Sequence, residues 1–168
     1  MKLSAHFTLA EATESSTALR LGIDNTPNAE QLRGIQVAAE GMEDVRSTLG
    51  HCPISINSWL RVEELEKILT AKDFVRWCHA RAIPVNDKTW TIYFQTKAHP
   101  KGFAVDFTCA QYGPPSQIAR TIQASGIKFD QLIMEGSWVH ISFALALRQQ
   151  VLMATFKNGV PTYTQGVA

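Results

Sequence analysis

The side chains of this chain whose types and spacing could do chemistry are His99, Asp106, Glu135 and His140. Gln131 to Glu135 and Trp138 to Phe143 read as two strands joined at Gly136-Ser137, a strong two-residue hairpin signal. Residues flanking such a turn are paired, and directly opposed residues point to the same side of a sheet. Alternation then puts Trp138, His140 and Ser142 on the face of Glu135, while Val139, Ile141 and Phe143 line the other face, which is the core. In the segment His99 to Phe107, Asp106 points away from the Phe103, Val105 and Phe107 stripe. If the two strands are neighbours, Asp106 and His140 meet. Gly102 permits a tight entry that lets His99 fold back toward Asp106. Two His and one Asp form a three-ligand set typical of a catalytic zinc, which keeps a fourth position for water. Glu135 could take the proton from that water.

Each residue also has a plainer reading. A histidine on a strand is commonly a core or surface residue, and Asp106 could be an ordinary strand-edge carboxylate. His6, His51 and His79 have no partner at ligand spacing and read as structural or surface residues.

The elements that must position these groups follow from pattern. Thr8-Leu9-Ala10-Glu11 reads as a capping box opening a short helix. Asp24-Asn25-Thr26-Pro27 reads as the start of a longer one, with Thr26 as cap and Pro27 at the first helical position. Leu32, Ile35, Ala39, Met42, Val45 and Leu49 then recur at helical spacing, and Gly50 ends the run. Residues 53–57 read as a short strand. Residues 62–98 read as largely helical, broken near Pro84, with Asp87 capping the second helix. Pro114-Pro115 to Ser125-Gly126 is a helix with Pro at its start and Gly at its end. Val151 to Phe156 and Val160 to Thr164 flank Asn158-Gly159, a second hairpin signal. Helices come first and hairpins later, so the expected class is α+β.

Composition sets the frame. A chain of 168 residues with 45% hydrophobic side chains can build its own core and is not intrinsically disordered. Sixteen Lys and Arg against 15 Asp and Glu give a net charge of +1, so no global field holds nucleic acid or an anionic membrane. No stretch approaches the ~18 apolar residues of a membrane helix, and the N-terminus lacks the apolar core of a signal peptide. A cytoplasmic site of synthesis is expected. Cys52, Cys78 and Cys109 are odd in number and form no CxxC pair, so free thiols are expected.

The string His99-Pro-Lys-Gly102-Phe-Ala104-Val-Asp106 resembles the HxxGxAxD signature of the M15 family of zinc peptidases. Glu135-Gly-Ser-Trp138-Val-His140 resembles that family's second ligand segment. Ile54-Ser-Ile-Asn-Ser58-Trp-Leu-Arg61 is similar to its strand-to-loop segment, and residues 3–9 and 24–27 resemble the start of its phage and bacterial subgroup. The likeness spans roughly residues 3 to 155 of one catalytic domain, 1–168, with a helical insertion at about 62–98. It implies a hedgehog-like α+β fold in which a small antiparallel sheet carries the zinc site against N-terminal and connecting helices. It further implies His99, Asp106 and His140 as Zn2+ ligands and Glu135 as general base. Arg61 would steady the oxyanion or hold a substrate carbonyl or carboxylate, Trp138 would wall the metal, and Ser58 and Lys97 would contact substrate. The family usually has Ser where Lys97 stands. The implied activity is hydrolysis of bacterial peptidoglycan stem peptides by a phage endolysin, cutting between L-Ala and D-Glu. A D-Ala-D-Ala carboxypeptidase and a non-catalytic, peptidoglycan-binding phage component are the alternatives. The partner would be peptidoglycan, without nucleic acid or membrane insertion, and the protein a monomer. It would wait in the host cytoplasm and reach the wall once the membrane is permeabilised. The insertion, with Phe74, Trp77, Trp90, Tyr93 and Phe94, would either cover the cleft or simply bury its own aromatics.

Overall fold

A computed structural model of the chain describes residues 1–144, 146–157 and 160–167. Helices α1 (Leu9–Thr13), α2 (Ser16–Leu21) and α3 (Ala29–Thr48) precede strand β1 (Ser55–Ser58). Three more helices follow, α4 (Glu63–Leu69), α5 (Ala71–His79) and α6 (Asp87–Gln95). A single 3-10 turn (His99–Lys101) leads into β2 (Ala104–Thr108). Then come α7 (Pro115–Ala124), β3 (Gln131–Glu135), β4 (Trp138–Ser142), β5 (Gln150–Lys157) and β6 (Val160–Gln165). The class is α+β.

The six strands form one sheet in the order β1-β2-β4-β3-β5-β6. The β3–β4 hairpin has the expected register, with Glu135 opposite Trp138. Gly136 takes a positive φ of 65° at the first turn position, which glycine alone adopts freely. β2 lies beside β4 with Asp106 directly opposite His140. The sheet is antiparallel except for one pair: β5 runs parallel to β3. The β5–β6 pair is antiparallel, and its expected Asn158-Gly159 turn lies outside the described residues.

One face of the sheet is covered by α3 and α7. Val105, Phe107, Leu132, Val139 and Ile141 meet Ile35, Met42, Val45, Ile118 and Ile122 in the main core. Ile35, Ala39, Met42, Val45 and Leu49 of the expected stripe supply that helical side, while Leu32 is only half-buried and outside this core. The expected cap is two residues early, however. Asn28, not Thr26, caps α3, accepting from the N–H groups of Glu30 and Gln31 at 2.9 Å each. Asp24 instead accepts from Thr26 in a local turn, and Asn25 is buried, bonding Thr13, Leu60 and Val62. In the same way Asn86 caps α6 and Asp87 is its first helical residue.

The helical excursion breaks twice, at Thr70 as well as before Pro84. Phe74, Cys78, Trp90 and Tyr93 form a second apolar cluster with Trp77, Ile83 and Phe94 around it. Its rings meet at 5.3 to 5.8 Å, within the range of favourable aromatic pairs. Among the described residues, no helix is long and apolar enough to cross a membrane.

Candidate metal centre

The sheet face away from α3 and α7 floors a cleft of about 1180 Å³. His99, Asp106 and His140 meet on that floor, all buried, with one ligand atom from each within 4.8 Å of the others. His140 Nδ1 lies 2.8 Å from Asp106 Oδ1, and His99 Nε2 lies 3.2 Å from the same oxygen. Strand pairing delivers two of the three: Asp106 and His140 are opposite residues on neighbouring strands and share a face. His99 comes from the 3-10 turn, closed by Gly102 at a φ of 80°.

His99 is held from behind. Its Nδ1–H donates to the Trp59 carbonyl at 2.6 Å, because that oxygen can only accept. This fixes the tautomer and leaves the Nε2 lone pair facing Asp106. Trp59 is fully buried and donates its own indole N–H to the Gly102 carbonyl at 2.8 Å, so one residue braces both ends of the turn.

Electrostatics suit a cation. Burial lowers the His99 pKa to about 4, with the nearby Arg61 charge acting in the same direction, so the imidazole is neutral at ordinary pH. Burial alone would raise the Asp106 pKa. The two histidines and Arg61 outweigh it and hold the carboxyl well below its usual range. Two imidazoles and one carboxylate, gathered on a buried point, could hold a metal ion.

Glu135 stands on the same face. Its Oε2 accepts from the Trp138 indole N–H at 3.0 Å, and burial raises its pKa. Trp138 is half-buried and lines the cleft, so it is both a wall and the group that aims Glu135. Arg61 also lines the cleft. Its Nε donates to Ser58 Oγ at 2.9 Å, its Nη2 to Asp106 Oδ2, and its Nη1 is 3.8 Å from Glu66 Oε2. Ser58 is thus a holder of Arg61, and it is not among the cleft-lining residues. The bulge between Ile56 and Ser58 sets Ser58 opposite Asp106, which brings Arg61 within reach. Lys97 lies on the cleft wall, its ammonium 4.0 Å from the centre of the Tyr93 ring.

Three contributors escaped the sequence reading. Trp59 acts through a backbone oxygen, which has no residue-type signature. Glu66 is buried, its side chain 2% exposed, with Oε2 hydrogen-bonded to nothing among the described residues and its pKa raised by that burial. In sequence it is one of several acids opening α4. Asp130 is buried and clamped by Arg148 through Nε at 2.6 Å and Nη2 at 2.8 Å.

The excursion buries its own aromatics, and Glu66, Thr70, Asp73 and Arg76 form one wall of the cleft. Of the remaining histidines, His6 pairs with Glu43 at 2.8 Å and His51 lies by Arg46, both away from the cleft. Cys52, Cys78 and Cys109 are free. Neither protein-family models nor curated proteins give a match to this chain.

Proposed function

We propose that this chain is a zinc-dependent peptidase that hydrolyses peptide bonds in bacterial peptidoglycan stem peptides, as a phage endolysin endopeptidase of the L-Ala–D-Glu type. The observation that carries the reading is the placement of Glu135, a carboxylate of raised pKa, on the same cleft face as the His99, Asp106 and His140 set. The Sequence likeness described above supplies the substrate class.

His99, Asp106 and His140 would hold the ion. Bound there, zinc would supply Lewis acidity toward the scissile carbonyl and acidify a water. The chain's own residues do the rest. Glu135 accepts the proton of the attacking water at its carboxylate and returns it to the leaving amine nitrogen. Trp138 keeps that carboxylate aimed. Arg61 keeps Asp106 ionised and oriented and places fixed positive charge beside the developing oxyanion, a contribution of a few kcal/mol where water is excluded. The enzyme would meet its substrate after the host membrane is permeabilised.

The test is mass spectrometry of purified peptidoglycan digested with and without a chelator, alongside metal analysis of the protein. Chelator-sensitive release of stem peptides with a new amino terminus at D-Glu supports the reading. Loss of the terminal D-Ala alone makes the protein a carboxypeptidase. No cleavage by zinc-loaded protein sinks the enzymatic reading and leaves a peptidoglycan-binding component.

A further inference from the structure

Six basic side chains line the cleft: Arg33, Arg61, Arg76, Lys97, Lys101 and Arg148. Four are engaged. Arg61 is held by Ser58, Asp106 and Glu66, Arg76 pairs with Asp73, and Arg148 pairs with Asp130. Lys101 donates to the Gln95 carbonyl at 2.6 Å. Arg33 stands exposed on α3. Lys97 is different. It is half-buried, two residues before His99, and its ammonium meets only the face of Tyr93, with no acceptor oxygen among the described residues.

An ammonium has three N–H donors. A ring face answers its charge but offers no lone pair, so the N–H donors remain free for an acceptor that a ligand brings. Lys97 lines the same cleft as Arg61 and Glu135, two residues before His99. The ligand that completes such a group is an anion with hydrogen-bond acceptors, and on a peptide that is a carboxylate.

The chemistry of the bond then says which carboxylate. In an α-linked peptide, the residue on the acyl side of the scissile bond has its α-carboxyl consumed in that bond. In both stem-peptide cuts considered, the acyl-side residue is alanine, whose side chain is a methyl group. A free carboxylate one residue from the reacting carbon therefore belongs to the residue that leaves as the amine. A terminal D-Ala carries one, and so does a D-Glu joined onward through its γ-carboxyl.

We propose that Lys97 is a specificity residue that anchors a free α-carboxylate on the residue at the amine side of the scissile bond. The proposal rests on the peptidase reading above. It makes the free acid, rather than the α-amide found in amidated stem peptides, the preferred substrate.

The experiment compares pairs of synthetic peptides with zinc-loaded protein. One pair is L-Ala-γ-D-Glu-L-Lys and its α-amide, and the other is acetyl-L-Lys-D-Ala-D-Ala and its C-terminal amide. Wild type should favour the acid by about tenfold or more in kcat/KM, carried by KM, as one charge-assisted bond warrants. Lys97→Met should level acid and amide, and Lys97→Arg should restore the preference. Equal rates on acid and amide in wild type would overturn the proposal, as would a preference that survives in Lys97→Met. If no peptide is cut, the peptidase reading fails and titration calorimetry with the same pairs decides the subsite. Tighter binding of the acid, lost in Lys97→Met, upholds it, and equal binding overturns it.

Discussion

Replacing Glu135 by Gln keeps a side chain of the same shape beside Trp138 and removes its capacity to take a proton. Hydrolysis should fall by about 10²–10⁴-fold, the usual range for a general base, while metal content measured by elemental analysis stays at the wild-type value. Wild-type activity should also show an acid limb with a definite sign. On the proposed reading the working form of Glu135 is the carboxylate, and burial raises its pKa. Activity therefore rises with pH through a midpoint above the ordinary Glu value of about 4.3. His99, lowered to about 4, and Asp106, held well below its usual range, are shifted the opposite way. A pH–kcat/KM profile checks this, and a midpoint at or below the ordinary value would count against Glu135 as the base. At this scale the site was partly legible because a period of two decides which side chains share a sheet face: it paired Glu135 with His140, whereas Asp106 also needed its strand to lie beside that of His140. The Trp59 carbonyl was not legible, since a backbone acceptor is identical in every residue. Nor was the burial of Glu66, which depends on how α4 approaches the rest of the chain. The placement of Arg61 and Lys97 on the cleft could not be read from periodicity either, because they sit in loops.

At the scale of elements, the turn that carries His99 is pressed against α3. A Cβ on Gly34 would lie 1.9 Å from the Lys101 carbonyl oxygen. Gly34→Ala should therefore lower stability, although alanine is worth up to ~1 kcal/mol more than glycine inside a helix. By shifting the turn, it should also weaken zinc binding in a competition assay against a chelator dye. Unchanged affinity would mean the turn is not braced by α3. A second element-scale expectation concerns the clamp between β3 and the segment leading to β5. Asp130→Asn should cost roughly 1 kcal/mol in denaturant unfolding, toward the low end because Arg148 is largely solvated. Arg148 depresses the Asp130 pKa, so the stabilisation is present above the unfolded Asp value of about 3.9 and is lost as pH falls through the lower folded value. The gap between wild type and variant should close in acid. The caps show where sequence reading of elements slips. Thr26 and Asp87 are good cap residues beside better-placed Asn28 and Asn86, and only the path of the chain chooses between them. The parallel β3–β5 pair was likewise invisible, because two hairpin signals do not specify how the hairpins join.

For the whole molecule, the three candidate ligands come from a turn and two strands that meet only in the folded chain. An ion that binds the native state alone stabilises it by RT ln(1 + [L]/Kd), about 4 kcal/mol at a thousandfold excess over Kd. Chelation should lower the Tm of wild type in scanning fluorimetry and leave that of His140→Ala where it was. Equal shifts would show that the chelator acts elsewhere. The α+β class followed from the order of helical and alternating segments, whereas the shape of the cleft did not, because it arises where the excursion meets the sheet. That excursion has a kinetic consequence. β1 and β2 are sheet neighbours, yet residues 59–105 separate Ser58 from its partner Asp106. Closing so long a loop before any contact rewards it slows folding. Phe74, Trp90 and Tyr93 are close in sequence and gather in their own cluster. If they collapse early, the loop is shortened before the strands search for each other. Phe74→Leu should then depress the folding limb of the chevron more than it raises the unfolding limb. The speed at which the ligand set first comes together would be governed by aromatic rings that lie outside it.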